Sequence, residues 1–252
     1  MTGIIPGSGN TRDILFMSDL CVGVIGGMGP DATVDFMARV LAATPATCDQ
    51  DHVRMLVEQD PRIPSRQRAL LGKGDSPGPH LAAIASRLEA SGCDFLVMPC
   101  NTAHHFIADI LAATRLPFLS IIDVTMARVR ASGHARIGLL ASAACLHARI
   151  YQDAMAAAGV ELVLQSRSEL ADLSLLIGKI KTGDHGPAVR TEASRLGKAL
   201  VDRGADALVL GCTELPIVLD GSDIEIPTIS SNELLAKATV AIATGKAPLP
   251  GR

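Results

Sequence analysis

The feature that most constrains the fold is an alternation of short apolar segments with helical ones, which runs through the chain twice. Gly23, in the first apolar segment, precedes Cys100 by 77 positions, and Gly138 stands 74 positions before Cys212. Such alternation is typical of parallel strands joined by crossover helices. We therefore predict an α/β fold of two pseudo-symmetric parallel-sheet domains, with the active site in the cleft between them.

A chain of 252 residues is long enough to bury two cores. We expect an N-terminal α/β domain over residues 21–125, which residues 226–252 are able to complete, and a C-terminal α/β domain over residues 126–225. Residues 1–20 are predicted to be a flexible extension, because they begin with a stretch rich in Gly, Thr, Ser and Asn. Met17, just before the first strand, is an alternative start of the native protein.

Composition argues against several classes of partner. Hydrophobic residues make up 48% of the chain, yet no apolar run approaches the roughly 18 to 20 residues of a membrane span. A net charge of -3 and an aromatic content of 2% disfavour a polyanion-binding or base-stacking surface. Residues 14–17 are apolar but too few for a secretory signal, so we expect a cytoplasmic protein without nucleic-acid or membrane partners.

Two of the six cysteines stand in polar loops that directly follow apolar segments. Residues 98–104 read MPCNTAH around Cys100, and residues 211–216 read GCTELP around Cys212. Each cysteine is predicted at the carboxyl end of a strand and just ahead of a helix, where free N–H groups and the helix dipole lower a thiol pKa. The chain has no C-x-x-C pair, and three further cysteines are interpreted as structural: Cys21, Cys48 and Cys93.

Two more loops are predicted at the same edge of the sheet. Residues 26–30, GGMGP, form a turn that opens a helix, and no G-x-G-x-x-G register fits them, which disfavours dinucleotide binding. Residues 58–66 form a polar loop that presents Arg62 and Arg66 where ligands bind in open α/β sheets. On the residues alone, two solvated surface arginines remain the alternative.

Periodicity predicts the elements between these loops. A strand is expected over residues 118–122 and a helix over residues 103–113, directly after the Cys100 loop. His104 and His105 are interpreted as packing or surface residues of that helix. A further helix over residues 31–43 presents four apolar residues on one face: Val34, Met37, Ala38 and Leu41.

Two thiols on opposite sides of a cleft suit one reaction in particular. Inversion of a stereocentre by proton transfer needs a base on one face of the carbon and an acid on the other. A thiol has a reference pKa of about 8.5, so a modest shift makes one of Cys100 and Cys212 a thiolate while the other stays protonated. The two thiols would titrate as a coupled pair and exchange roles in the reverse direction.

Four motifs together resemble the aspartate/glutamate racemase superfamily, and within it the aspartate racemase group. They are GGMGP at residues 26–30, PRIPSR at 61–66, PCNTAH at 99–104 and GCTE at 211–214. The resemblance implies racemisation of an amino acid, with aspartate as the expected substrate, by two cysteines at the interface of two α/β domains. It implies a homodimer and no pyridoxal phosphate, other cofactor or metal.

Carried over residue by residue, the resemblance makes Cys100 and Cys212 the acid/base pair. Arg66 and Lys181 match the family's cations for a side-chain carboxylate. Asn101, Thr102 and Thr213 are expected to bind the α-carboxylate and the ammonium of the substrate. Met28 and Glu214 are expected to be further substrate-binding residues of the site.

Departures from the family pattern concern substrate preference. Glutamate racemases usually carry an Asp-Ser pair and a His where this chain has Met28 and Glu214, so a glutamate racemase is the weaker match. Ser65 and Gln67 stand where the aspartate racemase group often has Asp and Thr. Residues 142–145, SAAC, replace a Thr-rich turn, and this turn with its cysteine is placed to border the cleft.

Several alternatives stay open on the sequence. A hydantoin racemase, a maleate isomerase or an arylmalonate decarboxylase would use a related fold, and a broad-specificity amino-acid racemase would use the same chemistry. A non-catalytic amino-acid-binding protein fits less well with two cysteines that keep their Asn-Thr and Thr-Glu neighbours. A thiol-redox role would require a disulfide between Cys100 and Cys212.

Overall fold

The computed structural model describes residues 20–219 and 221–251, which form two four-stranded sheets. Neighbouring strands are parallel throughout, which confirms the predicted α/β fold. The first sheet contains β1 (Val22–Gly26), β2 (Met55–Gln59), β3 (Phe95–Val97) and β4 (Phe118–Leu119). The second contains β5 (Arg136–Leu140), β6 (Glu161–Val163), β7 (Ala207–Leu210) and β8 (Thr228–Ser230).

Both sheets have the same strand order, so the two halves are pseudo-symmetric. The order is β2-β1-β3-β4 in the first sheet and β6-β5-β7-β8 in the second. It reverses between β1 and β3 and between β5 and β7, and open α/β sheets bind ligands at such switch points, outside the carboxyl ends of the strands. The loops that follow these four strands are therefore the expected place for a site.

Helices connect the strands in each half. In the first half they are α1 (Pro30–Ala43), α2 (Arg66–Leu70), α3 (Gly78–Ala90), α4 (Ile107–Ala113) and α5 (Ile121–Ser132). In the second half they are α6 (Ala143–His147), α7 (Gln152–Ala157), α8 (Arg167–Lys181), α9 (Pro187–Asp202), α10 (Leu215–Val218) and α11 (Ser231–Ala243).

The last segment of the chain contacts both halves. Strand β8 pairs with β7 in the second sheet, whereas α11 packs against α1 and α5. Leu235 and Val240 of α11 lie in the same buried cluster as Val24 of β1. The C-terminal helix therefore adds to the core of the first half.

Helix α1 buries a different face from the one that the apolar pattern marks. Phe36 and Val40 are buried, whereas Val34 and Leu41 are 57% and 50% exposed. The helix carries apolar residues on two sides, and the side with the aromatic ring faces the core, since burying Phe36 removes more apolar area from water. Of the four apolar residues predicted on one face, Met37 packs partly against the core, whereas Val34 and Leu41 are exposed.

Strand β4 is shorter than predicted. Only Phe118–Leu119 is extended, and α5 already begins at Ile121. Ser120 ends the strand, because its hydroxyl accepts a hydrogen bond from the backbone N–H of Asp123 (3.2 Å) and caps the helix.

Three expectations concern the limits of these units. The flexible extension predicted for residues 1–20 lies outside the described residues, apart from Leu20. The domain boundaries stay a prediction. No helix in the described part of the chain combines the length and the hydropathy that a bilayer crossing requires.

Candidate active site

A cavity of about 100 Å³ lies between the two halves. Sites for drug-sized ligands enclose roughly 300 to 1,000 Å³, so this cavity suits a much smaller molecule. All the residues predicted for the site line it: Met28, Arg66, Cys100, Asn101, Thr102, Lys181, Cys212, Thr213 and Glu214. The other lining residues are Ser65, Gln67, Ser142, Ala144, Ile177 and Gly211.

The glycine loop after β1 forms one wall. Gly27 has a φ of +95°, and a Cβ there would lie 2.6 Å from the backbone of Asp60, so the position requires glycine. Thr33 holds the loop, because its hydroxyl accepts a hydrogen bond from Gly27 N (2.9 Å) and donates one to Gly29 O (3.1 Å). The N–H of Gly29 donates to Oε1 of Glu214 (3.1 Å), which ties the loop to the second half.

The Cys100 loop, after β3, is held by a buried histidine. Nδ1 of His104 donates to the carbonyl oxygen of Cys100 (2.8 Å), and Nε2 accepts from the N–H of Ile121 (3.1 Å). Burial lowers the pKa of His104 to about 4, so the imidazole is neutral at pH 7. His104 is thus a packing residue and His105 an exposed one, in agreement with the prediction.

The helices that follow the two cysteines in sequence are shorter or less regular than predicted. Cys100 is followed by a 3₁₀ helix at Thr102–Phe106 before α4 begins, and α10, behind Cys212, has only 4 residues. A helix dipole grows with the number of aligned peptide units, so its contribution at either thiol is small. Other groups therefore set the protonation of Cys212.

The thiol of Cys212 donates to a carboxylate. Its Sγ lies 3.0 Å from Oε2 of Glu214. Burial and the negative charge of Glu214 raise the pKa of Cys212 well above its usual value, against the opposing effect of Lys181. Cys212 is therefore a neutral thiol at pH 7, and the lowered pKa predicted for this loop is wrong for it.

Glu214 is a buried carboxylate with protein partners on both oxygens. It is 2% exposed, and its Oε1 forms an ion pair with Nζ of Lys181 (3.2 Å). Its Oε2, besides the Cys212 contact, lies 3.5 Å from the hydroxyl of Thr213. Burial acts to lower the pKa of Lys181, but the negative charge of Glu214, and of Cys212 and Cys100 when they are ionised, raises it above the usual value, so the ammonium stays charged.

Arg66 begins α2, at the end of the segment that was expected to be a loop. Its Nη1 donates to the carbonyl oxygens of Ile63 and Pro64 (both 3.2 Å), and its Nη2 to that of Met28 (3.4 Å). Across residues 20–219 and 221–251, no carboxylate lies within ion-pair distance of Arg66. Arg62, in the same segment, does form an ion pair. The cavity therefore contains one cation without a carboxylate counter-ion in the described chain.

Two of the predicted ligands join the Cys100 loop to loops of the second half. The hydroxyl of Thr213, beside Cys212, donates to the carbonyl oxygen of Pro99 (3.2 Å). The hydroxyl of Thr102 lies 3.1 Å from that of Ser142, in the loop after β5. Both contacts cross from one half to the other, so the halves meet at the loops that carry the thiols.

The side chain of Asn101 is bound at both ends by residues that sequence reasoning missed. Its Oδ1 accepts a hydrogen bond from the hydroxyl of Tyr151 (2.6 Å), and its Nδ2 donates to the hydroxyl of Ser231 (3.0 Å). Tyr151 is the only tyrosine in the chain, which is the one signal that could have singled it out. Ser231 carries no such signal.

The other cysteine of the second half, Cys145, stays outside the cavity. Its turn borders the cavity through Ser142, but Cys145 is 0% exposed and lies in the core. Burial raises the pKa of Cys145 to about 12, which makes it an unreactive thiol. Cys21 and Cys93 are also buried, whereas Cys48 is exposed.

Comparison with known proteins identifies the family. The family model described as Asp/Glu/Hydantoin racemase matches residues 25–239. The chain is similar to the broad specificity amino-acid racemase RacX of Bacillus subtilis, with 29% identity over 223 residues that cover 87% of this chain and 96% of that one.

Solved structures agree with this match. Picrophilus torridus aspartate racemase has a TM-score of 0.82 and 32% identity, over 89% of this chain and 94% of that one. Glutamate racemase of Francisella tularensis, in complex with D-glutamate, has a TM-score of 0.67 and 17% identity, over 90% of this chain and 82% of that one, and so shares the fold. Because the family match spans most of the sequence, the chain belongs to the Asp/Glu/hydantoin racemase family and is an amino-acid racemase.

Proposed function

We propose that this racemase interconverts L- and D-aspartate by proton transfer between Cys100 and Cys212, without a cofactor. The observation that carries the proposal is the composition of the cavity. Both cysteines line it, and it contains Arg66, a cation without a carboxylate counter-ion in the described chain. The similarity to Picrophilus torridus aspartate racemase supports the same substrate.

The charges of the cavity are complementary to aspartate. Arg66 and Lys181 are cations and Glu214 is an anion, so the lining side chains other than the two cysteines carry one net positive charge. Aspartate at neutral pH carries two carboxylates and one ammonium, hence one net negative charge. Because Lys181 is already paired with Glu214, we assign the side-chain carboxylate chiefly to Arg66, whose planar guanidinium suits bidentate binding.

The protons balance with one thiol and one thiolate. The thiolate removes the α-proton from one face of Cα and becomes a thiol, while the thiol on the other face donates its proton and becomes a thiolate. The product has the inverted configuration and the same number of protons as the substrate. Cys100, Cys212 and Lys181 line the same cavity of about 100 Å³, which supports the action of both sulfurs on one small substrate.

Glu214 makes the two thiols different. Cys212 is the protonated member at rest, because its thiol donates to Oε2 of Glu214. In the reverse direction Cys212 is the thiolate and Cys100 the thiol; from the resting state this form is reached when Cys212 passes its proton to Oε2 of Glu214 and Cys100 takes one from solvent. We therefore assign Glu214 and Lys181 to the control of Cys212 more than to direct substrate binding.

A second candidate is racemisation of several amino acids. Met28 and Ile177 give the cavity apolar lining, which neutral side chains also contact favourably. The similarity to the broad specificity racemase RacX points the same way. Asparagine, which has the shape of aspartate without the side-chain charge, separates the two candidates.

The test is racemisation by the purified protein in D2O, followed by optical rotation and by α-deuteration. L-aspartate, L-asparagine, L-glutamate and L-alanine are supplied in turn. The proposal expects kcat/KM for aspartate to exceed that for asparagine about tenfold or more, the effect of one charge-assisted hydrogen bond. Equal values would favour the second candidate, and exchange of none of the four would refute both.

Three further expectations accompany this proposal. The homodimer and the cytoplasmic location implied by the sequence are retained, as is the division into domains at residues 21–125 and 126–225. Sedimentation equilibrium tests the first of these, and a monomer at micromolar concentration would refute it.

A further inference from the structure

A chain of hydrogen bonds joins the two cysteine loops behind the cavity. It begins at Asn101, next to Cys100, and passes through Nδ2 to the hydroxyl of Ser231 (3.0 Å). That hydroxyl donates in turn to the carbonyl oxygen of Leu210 (2.8 Å), two positions before Cys212. The side chains of Asn101 and Ser231 thus bridge the backbones that carry the two thiols.

Tyr151 completes this arrangement. Its hydroxyl donates to Oδ1 of Asn101 at 2.6 Å, the shorter of the two hydrogen bonds to that amide. Tyr151 and Ser231 are 0% exposed and Asn101 is 2% exposed, so water does not compete for these bonds. With both ends bound, the Asn101 amide has one orientation, and the Cys100 loop is held against the second half.

Proton transfer between two thiols depends on how these loops are spaced. Each sulfur must reach the same carbon from an opposite face, and a displacement of about 1 Å in a reacting group can cost about a hundredfold in rate. Tyr151 and Ser231 do not line the cavity. Their effect on the reaction therefore has to pass through Asn101 and the loop backbones.

We propose that Tyr151 and Ser231 are positioning residues of this racemase, which set the distance between Cys100 and Cys212 through the amide of Asn101. The proposal rests on the proposed two-cysteine function. It also adds to the role expected for Asn101, whose side chain becomes a link between the halves.

The variants Tyr151→Phe and Ser231→Ala test this proposal. Tyr151→Phe keeps the buried ring and removes only the hydroxyl, so any effect comes from the hydrogen bond. Thr239→Val is the matched control, because Thr239 is a buried residue of the same helix as Ser231 whose hydroxyl donates to Leu235 O (2.8 Å) and makes no contact with Asn101.

Two readouts are compared. The first is kcat and KM for the preferred amino acid. The second needs no turnover: the rate at which methyl methanethiosulfonate modifies Cys100 and Cys212, resolved by mass spectrometry of the peptides.

We expect Tyr151→Phe to lower kcat by about 10- to 100-fold with KM within about twofold of wild type. The modification rate of Cys100 should change several-fold while that of Cys212 does not. Ser231→Ala should lower kcat in the same way, and Thr239→Val should leave kcat within about twofold. If Tyr151→Phe does not fold, Ser231→Ala alone decides.

The proposal is overturned if the folded variants keep kcat and Cys100 reactivity within about twofold of wild type. It is also overturned if Tyr151→Phe changes both cysteines equally, since that result indicates general loosening. If the wild-type protein racemises no amino acid, the proposed function fails, and the relative reactivity of Cys100 and Cys212 still shows whether the network positions the loop.

Discussion

The Sγ atom of Cys212 lies 3.0 Å from Oε2 of Glu214, and the other oxygen of that carboxylate is ion-paired with Lys181 (3.2 Å). In the described part of the chain, the Cys100 thiol has no corresponding acceptor. The two thiols of a pseudo-symmetric fold therefore sit in different electrostatic environments. Cys212 is kept protonated at rest, and in the proposed mechanism this divides the acid and base roles before substrate arrives.

Glu214→Gln should lower the pKa of Cys212, because it removes the negative charge that opposes thiolate formation and leaves Lys181 to favour it. We expect the pH midpoint of Cys212 alkylation to move to lower pH, and kcat to fall about tenfold or more as the proton acceptor is lost. Glu161→Gln, at an exposed ion pair far from the cavity, is the control. An unchanged pH midpoint of Cys212 alkylation would show that Glu214 does not control the protonation of Cys212.

Arg66→Leu should reduce kcat/KM for aspartate by about 10- to 100-fold, the equivalent of about 1.5 to 3 kcal/mol for a charge-assisted hydrogen bond. Its thermal midpoint should stay near that of wild type, because Arg66 donates only to carbonyl oxygens. Arg62→Leu is the matched control, since that side chain is 87% exposed. Equal activity of the two variants on aspartate would contradict the acidic substrate.

Lys181→Met should affect stability as well as turnover. It leaves the carboxylate of Glu214, 2% exposed, without its ion-pair partner. The loss of a partner from a buried polar group costs about 1 to 3 kcal/mol, so the urea midpoint should fall together with kcat. A variant as stable as wild type would show that Glu214 is neutral or otherwise paired.

His104 should make stability depend on pH. Its pKa is about 4 in the folded protein and near 6.5 when unfolded, so the unfolded chain binds more protons between these values. The free energy of unfolding is fully expressed above pH 6.5 and should fall by about 3 kcal/mol as the pH drops to 4. Urea titrations of His104→Gln should lack this part of the pH dependence, whereas the exposed His105→Gln should retain it.

The fold and the two cysteine loops were predicted from local sequence patterns, whereas the other residues of the site were predicted from the family resemblance. Apolar segments of strand length, glycine turns and cysteine loops recur at nearly equal spacing, and they report the parallel sheets and their switch points. Every residue predicted for the site lines the cavity of about 100 Å³ between the halves.

Local sequence patterns did not predict which of two apolar sides of a helix is buried. They also did not predict hydrogen bonds between residues that lie far apart in sequence. Helix α1 has two apolar sides, and only tertiary packing selects Phe36 over Val34. The hydrogen bond from Tyr151 to Asn101 joins residues 50 positions apart, and the bond to Ser231 spans 130. Such contacts depend on how the two halves pack against each other, and the periodicity of apolar residues in the sequence carries no information on that packing.

The two-thiol mechanism is the central claim, and the first turnovers in D2O test it most directly. Wild-type protein is incubated with L-aspartate, and the α-deuterium content of D-aspartate is measured at early times. The second thiol exchanges with solvent, so the D-aspartate formed should carry deuterium while the remaining L-aspartate stays largely unlabelled.

The same measurement on Cys100→Ala and Cys212→Ala should show racemisation slowed about a hundredfold or more in each, with Cys48→Ala, at an exposed cysteine, behaving as wild type. Circular dichroism confirms that the variants are folded. Near-wild-type racemisation by either variant, or D-aspartate that retains the original α-proton, would contradict proton transfer between two cysteines.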